Sequence, residues 1–196
     1  WLVSALATGC TIVLYDGSPF HPKPDTLFDL IDRESISVFG ISAKFLGNLQ
    51  KETIKPRETH QLTSLRSLIS TGSPLTEEGF EYAYRDIKTD MHLVSMTGGT
   101  DLISCFIIGN PNLPVYSGEL QSAGLGMAVD IWDDEGNSIK EEKGELVCKI
   151  PFPSCPVGFW DDPDNKLFLS AYFERFENTW VHGDFGEVTK HDGYII

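Results

Sequence analysis

The sequence has few long apolar runs, few basic residues and little cysteine. No apolar run approaches the roughly 20 residues that cross a bilayer; "CTIVLY" and "LISCFIIG" are strand-sized, so membrane insertion is not expected. Only 15 Lys+Arg stand against 29 Asp+Glu, a formal net charge of -14, which repels nucleic acid and anionic lipid alike. A phosphate-bearing substrate would therefore need cations from a metal ion or from chain outside these residues. Cys10, Cys105, Cys148 and Cys155 form no CxxC pair and have no clustered His beside them, which argues against a zinc site and a disulfide framework. Four buried, reduced thiols in a cytoplasmic protein are the expectation. There are no internal repeats and no low-complexity tracts. The opening "WLVSALATGCTIVLYDG" lacks Met and a basic n-region and runs into a strand pattern, so it does not read as a signal peptide. Apolar segments at both ends suggest a piece of a longer polypeptide, whose flanking segments would complete any site.

What is present suits an α/β body. A chain of 196 residues, 41% of them hydrophobic, can bury one sizeable core, here read as one continuous body with two subregions. Over residues 1–113 helix-like and strand-like segments alternate. "WLVSALAT" is a helix with Gly9 after its end, and "CTIVLY" a buried strand closed by Asp16-Gly17. "PDTLFDLIDRES" is a helix with Leu27, Phe28 and Ile31 on one face. The strands "ISVFGIS", "LRSLIS" and "MHLVSM" then alternate with the helices "AKFLGNLQ" and "TEEGFEYAYRDI", the latter repeating Phe80, Tyr84 and Ile87. Such alternation predicts a mostly parallel sheet flanked by helices, with ligands beyond the carboxyl ends of its strands. "TGSPL" and "TGGTD" lie there. Over residues 114–196 the pattern becomes antiparallel β: Val129 and Ile131 alternate with Asp130, and "DDEGN" supplies a turn before "GELVCKI". "IPFPSCPVGFWDDPDNK" holds too much proline for a central strand and reads as a surface loop; its "DDPDN" lacks calcium-loop spacing.

Four phrases in order, "STGSPL", "TGGTD", "GELVCKIP" and "WVHGDFGEV", resemble the core motifs of the adenylate-forming acyl-CoA synthetase superfamily. "WLVSALATGCTIVLYDGSPF" and "GGTD" are most similar to its acetoacetate-activating members. The resemblance implies a ligase that uses ATP and Mg²⁺ to make an acyl-AMP, then transfers the acyl group to CoA, releasing AMP and pyrophosphate. Gly72, Ser73 and Pro74 would lie along adenine, with Thr71 lining the acyl pocket. Thr97, Gly98, Gly99 and Thr100 would belong to the nucleotide site, Thr100 bonding phosphate oxygens. Asp101 would hold Mg²⁺, a cation suited by one or two carboxylates plus substrate phosphates, and Asp184 would accept from both ribose hydroxyls. Two positions depart from the family pattern: Asp101 stands where Glu is usual, and Gly98 where acetate-activating relatives carry a pocket-closing Trp. Gly98 would thereby leave clearance for a longer acid such as acetoacetate. His182 replaces the usual Thr or Ser and receives no catalytic role; His21, His60, His92 and His191 are dispersed and read as structural or exposed.

Plainer alternatives stand beside each motif. "TGSPL" could be a strand-to-helix turn capped by Thr71 or Ser73 with Thr76 in the first helical turn, "TGGTD" a Gly-Gly hairpin turn, and Asp184 a polar turn residue. A related synthetase for another acid and a silent nucleotide-binding domain are the alternative functions. The resemblance also implies a glycine-rich phosphate loop before this region and an arginine, a hinge and a lysine-bearing small domain after it. None of these is in the sequence, so the 196 residues alone are expected to be inactive.

Overall fold

A computed structural model describes residues 2–196; Trp1, included in the expected first helix, lies outside them. α1 (Leu2–Ala7) ends before Gly9, whose φ is +71°. The next segment corrects the sequence reading. Residues 10–15 pair with no described strand, and Leu14 is 73% exposed. Strand propensity reflects a fit to neighbouring strands more than a backbone preference, and no described segment supplies that neighbour. The expectation of four buried thiols fails in the same place: all four cysteines are free, but Cys10 is exposed, Cys148 buried and the other two half-buried.

The parallel sheet is built from β1 (Val38–Ser42), β2 (Ser67–Thr71) and β3 (His92–Ser95) in that spatial order. Register runs Val38 to Ser67 to His92, so the carboxyl ends of β2 and β3 lie side by side. α2 (Thr26–Glu34) buries Leu27, Phe28 and Ile31, and Phe28 meets Phe39 of β1 and Phe45 of α3 (Ala43–Lys51). Ser42 caps α3, its hydroxyl accepting from the Phe45 amide at 3.1 Å. A short α4 (Pro56–Thr59) precedes β2. α5 (Glu77–Tyr82) runs into a wider π turn over Ala83–Ile87. Its cap is Thr76, which accepts from Gly79 N at 3.2 Å; Thr71 and Ser73 are left outside the helix.

Antiparallel structure begins earlier than the change of pattern at Pro114. β4 (Thr97–Gly99), β5 (Ser104–Ile108) and β6 (Ser122–Ala123) form one sheet. The hairpin alternative for "TGGTD" is thus partly realised, but its glycines lie within β4 and the turn follows at residues 100–103. β7 (Val129–Trp132), β8 (Gly144–Cys148), β9 (Trp180–Val188) and β10 (Tyr194–Ile195) form the other sheet, in spatial order β10-β9-β8-β7. Asp130 does not face solvent as strict alternation suggests: it is 9% exposed and ringed by donors. The proline-rich stretch is an irregular loop before α6 (Lys166–Tyr172), and Trp160 within it is 98% exposed.

Two apolar clusters hold these parts. One draws on residues between Leu27 and Leu93, the other on residues between Leu102 and Trp180. Trp180 centres the second, 2% exposed and meeting the rings of Phe106, Phe152, Phe168, Tyr172 and Phe173. Burying one such ring contributes about 3 kcal/mol by transfer from water. β9 is thereby anchored at its start, ahead of Asp184.

Candidate active site

The carboxyl ends of β2 and β3 open onto a cleft of about 1430 Å³. Thr71 ends β2, and the chain then leaves the sheet through Gly72, whose φ of +84° favours glycine at that turn. A Cβ added to Gly72 would meet nothing within 4 Å, so its flank is open to the cleft. Ser73 and Pro74 continue this wall. Across from β3, Thr97, Gly98, Gly99 and Thr100 line the cleft, and Asp184 reaches it from β9. Thr71, residues 72–74, residues 97–100 and Asp184, all singled out by sequence, therefore share one cavity.

Asp101 is not among the lining residues. It sits in the β4–β5 turn directly beside Gly99: a Cβ on Gly99 would collide with its carboxylate and come within 3.1 Å of His182 Cε1. Asp101 Oδ1 accepts from Leu102 N at 3.1 Å, and Oδ2 from the Tyr172 hydroxyl at 2.6 Å. Among the described residues no group of three or more His, Cys, Asp or Glu could hold a metal ion. Asp101 is exposed and each of its oxygens takes one protein hydrogen bond, whereas a carboxylate offers about four lone-pair positions. The arrangement fits a cation shared between one carboxylate and substrate phosphates, the usual habit of Mg²⁺, and does not fit an all-protein cage.

Gly98 meets a second constraint beside the clearance that the resemblance implies. A Cβ there would strike the Ser104 carbonyl oxygen and lie 2.6 Å from Cys105 Cα. Gly98 lines the cleft, but its missing side chain makes room for the backbone of β5.

Asp184 is set by neighbours the motif did not reveal. Gly183 N donates to Glu145 Oε1 at 3.1 Å, and the other oxygen of Glu145 pairs with Arg175. Glu145 is 3% exposed, so this buried carboxylate pins the backbone just before Asp184. His182, two residues earlier, accepts from the Trp180 indole N–H at 3.5 Å on Nδ1; a neutral ring then carries its proton on Nε2, 3.7 Å from Asp184 Oδ2. Three of the four other histidines have side-chain partners elsewhere, His60 with Asp29, His92 with Gln121 and His191 with Glu119, and His21 is exposed. "GELVCKIP" marks Glu145 in sequence, but no local signal marks Tyr172 or Arg175.

The cleft is also notable for its charge. Among the described residues that line it, Asp184 is the one acidic side chain, and there is no Lys, Arg or His.

A family profile described as AMP-binding enzyme matches residues 1–153. The chain belongs to this family. Among AMP-binding relatives, it is 54% identical over its whole length to the acetoacetyl-coenzyme A synthetase of Rhizobium meliloti (strain 1021), covering 30% of that protein. It is 48% identical to the acetoacetyl-CoA synthetase of Gallus gallus, covering 29%. Its fold superposes with a TM-score of 0.93 on acetoacetyl-CoA synthetase from Streptomyces lividans, at 39% identity, over 100% of this chain and 31% of that one. An anthranilate CoA ligase solved with anthranoyl-AMP shares the fold, with a TM-score of 0.76 at 19% identity over 95% of this chain and 34% of that one. The chain thus spans about 30% of the length of the curated relatives it matches. No described helix is long and apolar enough to cross a membrane.

Proposed function

We propose that this chain is the central part of the large N-terminal region of an ATP-dependent acid–thiol ligase that converts acetoacetate, ATP and CoA into acetoacetyl-CoA, AMP and pyrophosphate. One observation carries the reading: residues 72–74, residues 97–100 and Asp184 share one cleft, as adenine, phosphate and ribose contacts must. The similarity to acetoacetyl-CoA synthetases supports the choice of acid.

In this reading residues 72–74 lie along the adenine ring, and ionised Asp184 accepts from both ribose hydroxyls. The hydroxyl of Thr100 donates to a phosphate oxygen, with Thr97 and Gly99 shaping the wall beside it. Thr71 and Gly98 border the acyl group. Asp101 would hold Mg²⁺, which would offset charge on the leaving pyrophosphate. Among the described residues the cleft lining has no cation for that charge, so lysine, arginine and loop amides from flanking segments complete the site. Four unbridged cysteines suit a cytoplasmic location. The 196 residues alone are inactive because those segments are missing.

The test is thioester formation by the full-length protein with acetoacetate and acetate side by side. Preference for acetoacetate is expected. Preference for acetate removes the assigned substrate, and no AMP with any acid removes the ligase reading. Asp184→Ala should raise the KM for ATP about 10-fold or more, the value of hydrogen bonds to a charged acceptor.

A further inference from the structure

Tyr172 lies 71 residues from Asp101 in sequence, yet its hydroxyl makes the shortest hydrogen bond that carboxylate receives, 2.6 Å to Oδ2. The hydroxyl is rigidly presented. The Tyr172 ring lies flat on Trp180, with centroids 3.7 Å apart and 14° between planes, and Trp180 is itself buried among aromatic rings. A tyrosine hydroxyl is a donor near neutral pH, and the carboxylate it faces can only accept. With Leu102 N on the other oxygen, the carboxylate of an exposed turn is held at both ends.

We propose that Tyr172 is a positioning residue: its hydroxyl fixes the orientation in which Asp101 meets a divalent cation, leaving the second lone pair of each oxygen for the metal. This rests on the reading of Asp101 as the metal-holding acid. The device suits an aspartate in particular, whose short side chain makes its reach depend on the turn that carries it. Hydrogen-bond partners behind metal-holding carboxylates are worth about 10- to 100-fold in metal affinity or activity.

The experiment titrates Mn²⁺ into the full-length, AMP-bound protein and follows loss of the free-ion EPR signal, comparing parent, Tyr172→Phe and Asp101→Asn. Tyr172→Phe keeps the ring and its stack and removes only the hydroxyl; near-UV circular dichroism verifies the stack. Weaker Mn²⁺ binding in both variants, about 10-fold for Tyr172→Phe, is the expected result. A matching rise in the Mg²⁺ needed for half-maximal ATP–pyrophosphate exchange, with kcat kept at saturating Mg²⁺, separates positioning from structural damage. Weakening by Asp101→Asn with no change, or tighter binding, in Tyr172→Phe overturns the role of Tyr172 and leaves that of Asp101. No effect of Asp101→Asn overturns the metal reading of Asp101 and this inference with it.

Discussion

Asp130 is a carboxylate inside a β-sheet, and its partners explain why it is tolerated there. Ser138 Oγ and Ile131 N donate to Oδ1, while Trp132 Nε1 and Lys149 Nζ serve Oδ2. Burial disfavours its charge, but these donors outweigh that effect and hold its titration below the usual carboxylate range. A depressed folded value means that the stabilisation is present above the ordinary carboxyl pKa and is lost as pH falls through the folded one. Asp130→Asn is expected to cost about 1–3 kcal/mol at neutral pH, with the gap to the parent closing in acid. Melting temperatures of both proteins from pH 7 to pH 3 check this; a constant gap would contradict it. At this scale sequence was a weak guide: alternation put Asp130 on the solvent side, because its four donors come from other positions in the sheet and its borders.

The β4–β5 hairpin carries the constraint that matters most among the elements. Gly98 in β4 stands against the backbone of β5, and backbone cannot rotate away as a side chain can. Gly98→Ala should therefore lower stability by about 1–3 kcal/mol, the usual cost of overpacking, seen as a lower denaturation midpoint with unchanged slope. Gly98→Trp should loosen the hairpin before it alters the choice of acid. The parallel strands, their helices and the loops after them were legible because apolar periodicity and Gly-rich punctuation are local. Residues 10–15 misled for the converse reason: "CTIVLY" has strand composition, but a strand needs a neighbour, and composition does not report one. Asp101 was legible as a motif residue. Its partner Tyr172 was not, since a contact across 71 residues leaves no spacing to read.

Across the whole molecule, the two apolar clusters divide the chain nearer residue 100 than residue 114, and the cleft has walls from both. β2 and its exit loop belong with the first; β5 and β9 belong with the second. A ligand in the cleft would thus touch elements that draw on both clusters.

The cation-free lining has a consequence for discrimination among nucleosides and nucleotides. A wall that offers a groove, hydroxyls and one acid gains little from a ligand's negative charge, so in the proposed reading the contacts to adenosine should outweigh the single hydroxyl contact of Thr100 to phosphate in the 196 residues. Calorimetric titration of the 196-residue chain without added metal should then give adenosine and AMP comparable affinities; a strong preference for AMP would mean that the Thr100 contact carries more of the binding than a cation-free lining suggests.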